Sequence, residues 1–460
     1  MTRILIAGGG IAGLTAALSL HAAGFDGITV AEAAREIQPL GAGLNIMPNA
    51  VRELDALGLL GRLDACAVRT RELRYYHRAG GLISREPRGL GAGYRWPQLS
   101  IHRGELQRVL ADAVRERLGP DAVRSGVRVG GVETLPDGRA RVLLAHRGGT
   151  GEDVPPGSAG SPGSPDSSVS SDFSDFSETV EPEVLIGADG IRSAVRAALN
   201  PAEGEPPWNG LLVWRGVSRV PADRVHTFMF IAGDDRQKAV VYPMTHPDGA
   251  EDADGSGGAE GYVLVNWALA MPAADIADAG RGDWNRPVPV AKFAHHYAGW
   301  EFDGVAVPEI LAAAERAFEY PMVDREPLDR WTYGRTTLIG DAAHAMYPIG
   351  SNGATQSIVD ARALAHAMAT HPDRAEALRA YEAERRPAMT ELQRANRRQG
   401  PEVVIGLAHA RAPQGFTDIA EVIPPSELAR IASRYAETGA FDPASVNAGS
   451  PYELPETTRR

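Results

Sequence analysis

At 460 residues the chain exceeds one ordinary domain, which leaves room for a nucleotide-binding domain and a second domain built around a substrate. A formal net charge of −12 argues against a nucleic-acid partner, and the single cysteine, Cys66, excludes internal disulfides and multi-cysteine metal sites. No metal site is predicted. No signal or membrane-spanning pattern precedes the first strand, so we expect a cytoplasmic protein without a membrane partner.

The N-terminal residues predict the opening of a βαβ unit. An apolar run over 3–7 leads into the glycines Gly8, Gly10 and Gly13, and a second apolar run follows at 28–31. A GxGxxG turn between a strand and a helix lets a pyrophosphate approach the exposed N–H groups of the helix N-terminus. The pattern predicts dinucleotide binding without distinguishing FAD from NAD.

The residues around this turn belong to the same predicted site. Ile11 and Ala12 lie inside the motif and begin the helix. Glu32 ends the next strand, where its carboxylate is placed to accept hydrogen bonds from the adenosine ribose hydroxyls.

Downstream, the pattern alternates between helices and strands. Residues 102–118 read as an amphipathic helix. Residues 148–181 are rich in Gly, Pro, Ser and acids, which predicts a disordered insertion in a hairpin. A second polar loop, 247–261, is expected to join neighbouring antiparallel strands, and 206–323 favours strands throughout.

Three later motifs belong with the N-terminal turn to one family pattern. VLIGADGIRSAVR (184–196) and TLIGDAAHAMYPIGSNGA (337–354) each place Asp beside Gly at a strand end, and IHRGEL surrounds Arg103. Together the four ordered motifs resemble the class A flavoprotein monooxygenases, the group of para-hydroxybenzoate and salicylate hydroxylases. The resemblance covers about residues 3–400.

The resemblance implies roles for three charged residues. Asp341 is expected to hold a ribityl hydroxyl of FAD, and Arg103 to contact the cofactor's phosphate and ribityl region. Asp189, with Gly190 and Arg192 nearby, is linked in the family to both FAD and the reducing nicotinamide nucleotide.

The implied fold is α/β, with a Rossmann-like FAD-binding domain interleaved with a mostly antiparallel β-sheet substrate domain. We assign 1–70, 97–205 and 320–372 to the FAD-binding domain. The sheet domain takes 71–96 and 206–319, and C-terminal helices and a tail take 373–460.

The segment opening the long helix after Asp341 contains Pro348, Gly350, Asn352 and Gly353. A helix N-terminus there would direct its partial positive charge at the N1 and C2 carbonyl of a reduced flavin. The alternative is an ordinary capped helix, since Gly and Asn are common at such positions.

Within the family, the sequence is similar to the phenazine hydroxylase branch, meaning enzymes like 5-methylphenazine-1-carboxylate 1-monooxygenase. The segments that carry this likeness lie in both expected domains: PLGAGLNIMPNAV, QLSIHRGELQ, WRGV, VNWALAMP, DWNR and YPMVDREPL. The two polar insertions and the tail after about 400 match nothing in that pattern, which leaves the pocket rim and the substrate open.

The resemblance implies a reaction in which NADH or NADPH reduces FAD and O2 then forms a flavin C4a-hydroperoxide that hydroxylates a small aromatic or heteroaromatic molecule. A decarboxylating hydroxylase or an epoxidase stays open, because these differ in substrate and not in the flavin site. A halogenase would need a WxWxIP segment where this chain has VWRGV, and a non-enzymatic binding protein would lose the motif at 348–353. Monomer and homodimer are both compatible with the sequence.

The substrate candidates are aromatic, flexible apolar or cationic residues of the sheet region and the flavin segment: Trp214, Arg215, Tyr242, Met244 and Tyr347. Aromatic rings stack on flat substrates, and an arginine could pair with a carboxylate. Strand alternation puts Trp214 and Arg215 on opposite faces, so at most one points into a pocket. His344 is expected to be a packed or hydrogen-bonding residue, and no acid, base or other catalytic side chain is assigned.

Overall fold

The computed structural model describes residues 3–36, 42–147, 178–247, 261–276 and 286–453. The strands in these ranges are β1 Ile4–Ala7, β2 Ile28–Glu32, β3 Gly43–Ile46, β4 Ala67–Thr70, β5 Glu72–His77, β6 Leu82–Pro87, β7 Gln98–His102, β8 Val123–Ser125, β9 Val127–Thr134, β10 Ala140–His146, β11 Glu178–Val180, β12 Val184–Gly187, β13 Trp208–Pro221, β14 Met229–Gly233, β15 Lys238–Pro243, β16 Tyr262–Pro272, β17 Arg286–Val288, β18 Glu301–Phe302, β19 Val305–Ala306, β20 Ala314–Val323 and β21 Thr336–Leu338. The α-helices are α1 Ile11–Ala22, α2 Pro48–Ala56, α3 Leu60–Asp64, α4 Arg103–Leu118, α5 Ala194–Leu199, α6 Val307–Ala312, α7 Asp341–His344, α8 Asn352–Thr370, α9 Arg374–Arg397, α10 Val403–Arg411, α11 Pro425–Thr438 and α12 Pro443–Asn447.

A five-stranded parallel sheet forms the centre of the first domain, in the order β21-β12-β1-β2-β8. Strands β1 and β12 are buried along their whole length, because helices cover the sheet and their apolar runs face protein on both sides. Helix α1 packs against α4 and α8. The predicted Rossmann-like architecture is therefore confirmed.

The second sheet has eight strands in the order β17-β20-β13-β16-β15-β14-β5-β6. Every pairing in it is antiparallel except that of β5 with β14. Strands β5 and β6 come from the segment before α4, so the chain crosses between the two sheets more than once. The predicted interleaving with a mostly antiparallel sheet is thus present.

The eight-stranded sheet has two different faces, set by strand alternation. What we call the outer face carries Trp214, Trp267 and Phe230, which pack with Phe293 and Phe302 into a closed apolar cluster. What we call the inner face carries the side chains that pack under α10 and the segment after it: Leu73, Tyr75, Met229, Ile231, Tyr242 and Met244.

The two polar insertions lie mainly outside the described residues, which exclude 148–177 and 248–260. The predicted disorder over 148–181 needs correction at its end, because Glu178–Val180 forms β11, antiparallel to β10. Glu178 is held there by Arg124, with N–O distances of 2.9 and 2.6 Å. The second loop joins β15 and β16, which are antiparallel neighbours as predicted.

The C-terminal segment, residues 403–453, packs onto both domains. Helix α10 contacts β5, β6 and β14, while α12 contacts α2. Buried Glu53 accepts hydrogen bonds from Arg362 Nε at 3.1 Å and from Ser450 Oγ at 2.8 Å, which ties the chain end to the FAD-binding region. Among the described helices, none combines the length and apolar character that crossing a membrane requires.

Candidate active site

The glycine turn after β1 is closed where it meets protein and open where a ligand would approach. Gly8 has φ +102°, and a Cβ there would lie 2.5 Å from the carbonyl oxygen of Ala188. A Cβ on Gly13 would overlap the carbonyl oxygen of Gly8, whereas one on Gly10 would meet no atom within 4 Å. The bare backbone of Gly10 therefore faces open space at the N-terminus of α1, the geometry that a pyrophosphate needs.

Glu32 braces this turn. Its buried carboxylate accepts hydrogen bonds from the backbone N–H of Gly9 at 2.7 Å and of Ala34 at 2.8 Å. Each carboxylate oxygen can accept a second bond, so capacity for a ribose hydroxyl remains. Ile11 and Ala12 are buried, and they seat α1 on the sheet.

The Asp-Gly and Gly-Asp motifs meet the glycine turn because parallel strands end at one edge of a sheet. A Cβ on Gly340, the residue before Asp341, would lie 2.9 Å from the Cβ of Ala12. Asp189 accepts hydrogen bonds from Ser193 Oγ at 2.5 Å and from the backbone N–H of Ala194 at 2.7 Å. In this structure Asp189 therefore caps α5.

Asp341 and Arg103 offer exposed charges at the same edge. A Cβ on Gly353 would lie 4.0 Å from Asp341 Oδ1, which puts that carboxylate beside the start of α8. Arg103 begins α4, and one turn later Gln107 Nε2 donates to the Gly9 carbonyl at 2.8 Å. Gln107 was not predicted as a site residue, although it lies in the QLSIHRGELQ segment.

The N-terminus of α8 is not capped by its own side chain. Ser351 stands at the N-cap with φ +57° and makes no side-chain capping bond. The next helix, α9, begins with such a cap, since Asp373 accepts from the backbone N–H of Glu376 at 2.8 Å. First-turn N–H groups of α8 are thus left for another acceptor, which favours the flavin interpretation over the ordinary capped helix.

The predicted flavin segment divides into exposed and buried residues. Pro348 is exposed and Gly353 partly so. Asn352 is only 1% exposed, and its Nδ2 donates to the Gly350 carbonyl at 3.0 Å and to the Tyr435 hydroxyl at 2.9 Å. Asn352 therefore shapes the turn from inside the protein.

His344 is fully buried behind the Gly-Asp motif. Its Nε2 lies 2.6 Å from Asp360 Oδ2, and Arg385 Nε donates to Asp360 Oδ1 at 2.8 Å. Burial alone would raise the pKa of Asp360, but His344 and Arg385 together lower it to about 2. As expected, His344 is a packed, hydrogen-bonded residue.

Tyr242 and Met244 line the inner face where the two domains touch. The N–H of Gly43 donates to Asn266 Oδ1 at 2.7 Å, and a Cβ on Gly43 would lie 2.5 Å from Met244 Sδ. Asn45 hydrogen-bonds the Tyr242 hydroxyl. The FAD-binding domain and the substrate sheet therefore pack directly against each other at this point.

Arg215 lies near this junction, with Tyr242 and Arg103 among its electrostatic neighbours. Burial lowers the pKa of Arg215, with Tyr242, Tyr320 and the positive charge of Arg103 as its electrostatic neighbours. Within the described ranges, no carboxylate forms an ion pair or hydrogen bond with Arg215. A partly buried guanidinium without an acid beside it is suited to an anionic ligand.

Two other substrate candidates lie elsewhere. Trp214 is fully buried on the outer face, where its ring stacks on Phe293 at 4.7 Å and its Nε1 donates to Glu319 at 2.9 Å. Its inclusion is corrected, because strand alternation gives the inner position to Arg215. Tyr347 is half-buried beside Asn209 and Asp324, and burial raises its pKa.

Fold and site together define a flavin-dependent monooxygenase. Residues 1–156 and 306–396 match the FAD binding domain family, and the chain belongs to it. It is 42% identical over 398 residues to a phenazine 1,6-dicarboxylic acid hydroxylase, PhzS, of Lysobacter antibioticus, covering 86% of this chain and 89% of that protein. It is 33% identical over 410 residues to the 3-amino-4-hydroxybenzoate 2-monooxygenase PtnB3 of Streptomyces platensis, covering 87% and 88%.

A solved structure shows the same fold. Klebsiella pneumoniae HpxO, complexed with FAD and uric acid, superposes with a TM-score of 0.67 at 22% identity, covering 96% of this chain and 98% of that one. The protein is thus an FAD-dependent aromatic hydroxylase, of a family that uses NAD(P)H as reductant.

Proposed function

We propose that this enzyme hydroxylates a flat aromatic or heteroaromatic carboxylic acid, a phenazine carboxylate or a substituted benzoate. One O2 and one NADH or NADPH are consumed, and the second oxygen atom leaves as water. The observation that carries the proposal is the guanidinium of Arg215 on the inner face, which has no carboxylate partner among the described residues.

Arg215 has the chemistry to select an acid. A planar guanidinium binds a carboxylate through two parallel N–H···O bonds. The printed names of the two relatives, a dicarboxylic acid hydroxylase and a hydroxybenzoate monooxygenase, both describe carboxylated aromatic rings. These names support an acid as the substrate of this chain.

Tyr242 and Met244 supply the remaining pocket wall. Both are buried beside Gly43, where even a Cβ would overlap Met244 Sδ and the Tyr242 ring. Tyr242 offers a ring face for stacking, and Met244 offers a polarizable, adaptable contact. With α10 covering the inner face, these residues keep water from the reacting ring and orient it.

FAD fits the open glycine turn and the uncapped helix start. We assign its contacts to Gly8, Gly10, Ile11, Ala12, Gly13, Glu32, Arg103, Asp189, Asp341, Pro348, Gly350, Asn352 and Gly353. When bound, FAD supplies the electron transfer and oxygen activation that side chains cannot provide. The N-terminus of α8 contributes partial positive charge at the ring site, and Arg103 and Asp341 hold the cofactor's polar arm.

The proposal also includes a nicotinamide contact, a further substrate contact, the domain bounds, the compartment and the oligomeric state. Asp189 stays a proposed link to the nicotinamide nucleotide, and Tyr347 a substrate contact at the pocket rim. We assign 1–70, 97–205 and 320–372 to the FAD-binding unit, although the boundary at 320 falls within β20. A cytoplasmic monomer or homodimer is proposed.

The proposed function is tested by measuring flavin content, NAD(P)H oxidation and product mass with the purified protein. We expect a yellow preparation whose rate of NAD(P)H oxidation rises when a phenazine carboxylate or an aminohydroxybenzoate is added. The product should be about 16 mass units heavier than the substrate, which is the mass of the one oxygen atom that flavin monooxygenation adds. A colourless protein that takes up no FAD would refute the assignment. A product that has lost its carboxyl group would instead identify a decarboxylating hydroxylase.

A further inference from the structure

The loop over 347–351 has a backbone that other parts of the protein must hold in place. Gly350 and Ser351 both have positive φ, +65° and +57°. A non-glycine residue in this region is strained, and such conformations persist only where surrounding contacts fix them. The contacts that fix this loop are therefore part of the site.

Those contacts converge on one side chain of the C-terminal segment. Tyr435 of α11 is 7% exposed, and its hydroxyl donates to Asn396 Oδ1 at 2.7 Å, with the Ile349 carbonyl 3.1 Å away. The same hydroxyl accepts from Asn352 Nδ2 at 2.9 Å. A Cβ on Gly350 would overlap this hydroxyl, so the loop lies directly against the tyrosine.

The neighbouring contacts extend this support into α8 and α9. Asn396 Nδ2 donates to the Tyr347 carbonyl at 3.2 Å. Gln356 Nε2 donates to Asn352 Oδ1 at 3.2 Å and to the Gly439 carbonyl, just after α11, at 3.1 Å. Tyr435 thus sits at the centre of a buried network joining the loop, two long helices and the C-terminal segment.

We propose that Tyr435 is a positioning residue that holds the 347–351 loop and the start of α8 against the flavin ring. The proposal rests on the ring placement given under the proposed function. It assigns the C-terminal segment a part in the reaction: through Tyr435 this segment fixes the N–H groups of α8 that meet the ring's developing negative charge.

The test compares two tyrosine variants of the flavin-loaded enzyme. Tyr435→Phe removes the hydroxyl and leaves Asn352 Nδ2 and Asn396 Oδ1 with one partner fewer, while keeping the ring's packing. Tyr452→Phe is the matched control, since Tyr452 is 6% exposed, lies in the same segment, and donates to Glu384 Oε1 at 2.7 Å away from the loop.

We expect Tyr435→Phe to release FAD about tenfold faster, because unpaired buried polar groups loosen the site. It should also shift the visible flavin spectrum and divert more NAD(P)H oxidation to hydrogen peroxide. Tyr452→Phe should match the wild type in all three readouts. Asn396→Ala removes the same partner from α9 and should move them as Tyr435→Phe does, which keeps the test open if Tyr435→Phe folds poorly.

The outcomes separate this proposal from the one it rests on. A wild-type enzyme without bound flavin overturns both. A flavin-loaded wild type beside a Tyr435→Phe variant with the same FAD release, spectrum and peroxide yield overturns the positioning role alone. Equal changes in Tyr435→Phe and Tyr452→Phe also overturn it, since they reflect general loss of stability.

Discussion

The two faces of the eight-stranded sheet surround their charged side chains differently. On the outer face, Glu319 is surrounded by donors: Trp214 Nε1 and Lys292 Nζ each lie 2.9 Å from its carboxylate, and Arg286 forms an ion pair with it. On the inner face, Arg215 has no carboxylate partner among the described residues. The satisfied charge belongs to the fold, and the unsatisfied charge is available to a ligand.

Glu319→Gln should have the largest effect and should act on stability. Losing the carboxylate leaves Arg286 and Lys292 without their counter-charge, and we expect a loss of about 3 kcal/mol in the free energy of unfolding. Urea denaturation followed by far-UV circular dichroism measures it. Glu315→Gln, at an exposed position of the same strand, should change stability by less than about 0.5 kcal/mol. Equal stability of the two variants would contradict the structural role of Glu319.

Arg215→Gln should leave stability intact and weaken substrate use. A charge-assisted pair is worth about 2 kcal/mol, so KM for a carboxylated substrate should rise roughly 30-fold. Steady-state kinetics with product detection measures this rise. Arg219→Gln, an exposed arginine on the same strand, is the control and should retain the wild-type KM. An unchanged KM in Arg215→Gln would remove the basis for an acidic substrate.

Trp214→Phe tests the assignment of this residue to the outer face. The variant keeps an aromatic ring beside Phe293 but loses the hydrogen bond to Glu319, so we expect about 1 kcal/mol of destabilisation. KM should not change. A KM increase as large as that of Arg215→Gln, at equal stability, would return Trp214 to the pocket.

A smaller, pH-dependent effect is expected where the C-terminal segment covers the inner face. His77 Nε2 lies 3.1 Å from Nδ1 of His409 in α10. Burial lowers the pKa of His77, with His409 and Arg78 acting in the same direction and Asp234 against them. Because the folded pKa of His77 lies below its unfolded value, protonation of His77 opposes folding, and stability is lost as pH falls below about 6.5.

His77→Gln should therefore flatten part of the stability profile between pH 7 and pH 5, by less than about 1 kcal/mol. Thermal unfolding at stepped pH values measures the slope. A variant profile parallel to the wild type would show that His77 does not contribute to the pH dependence in this range.

Local sequence patterns were sufficient to predict the elements whose residues are adjacent in the chain. The glycine turn, Glu32 and the Gly-Asp motif were predictable because strand, turn and helix residues adjoin in the chain. Alternation also separated Trp214 from Arg215, but it could not tell which face was closed, since that depends on Phe293 and Glu319, which lie far away in the sequence.

Long-range contacts had no such signature. The Tyr435 hydroxyl accepts a hydrogen bond from Asn352, which lies 83 residues earlier in the chain. Neither segment has a sequence pattern that predicts this contact. Glu178 was read as part of a disordered run by composition, whereas its pairing with Arg124 places it in a strand. Composition describes a segment's average and misses a few residues that gain a specific partner.

The contrast between the two faces is tested most directly by removing the charge from Arg215 and, separately, from the carboxylate of the substrate. The measurement is kcat/KM for phenazine-1-carboxylate and for its neutral carboxamide, in the wild type and in Arg215→Gln. We predict that the wild type prefers the carboxylate about 30-fold and that Arg215→Gln abolishes the preference, because the guanidinium and the carboxylate form one pair. A preference that survives in Arg215→Gln would show that the carboxylate is recognised elsewhere.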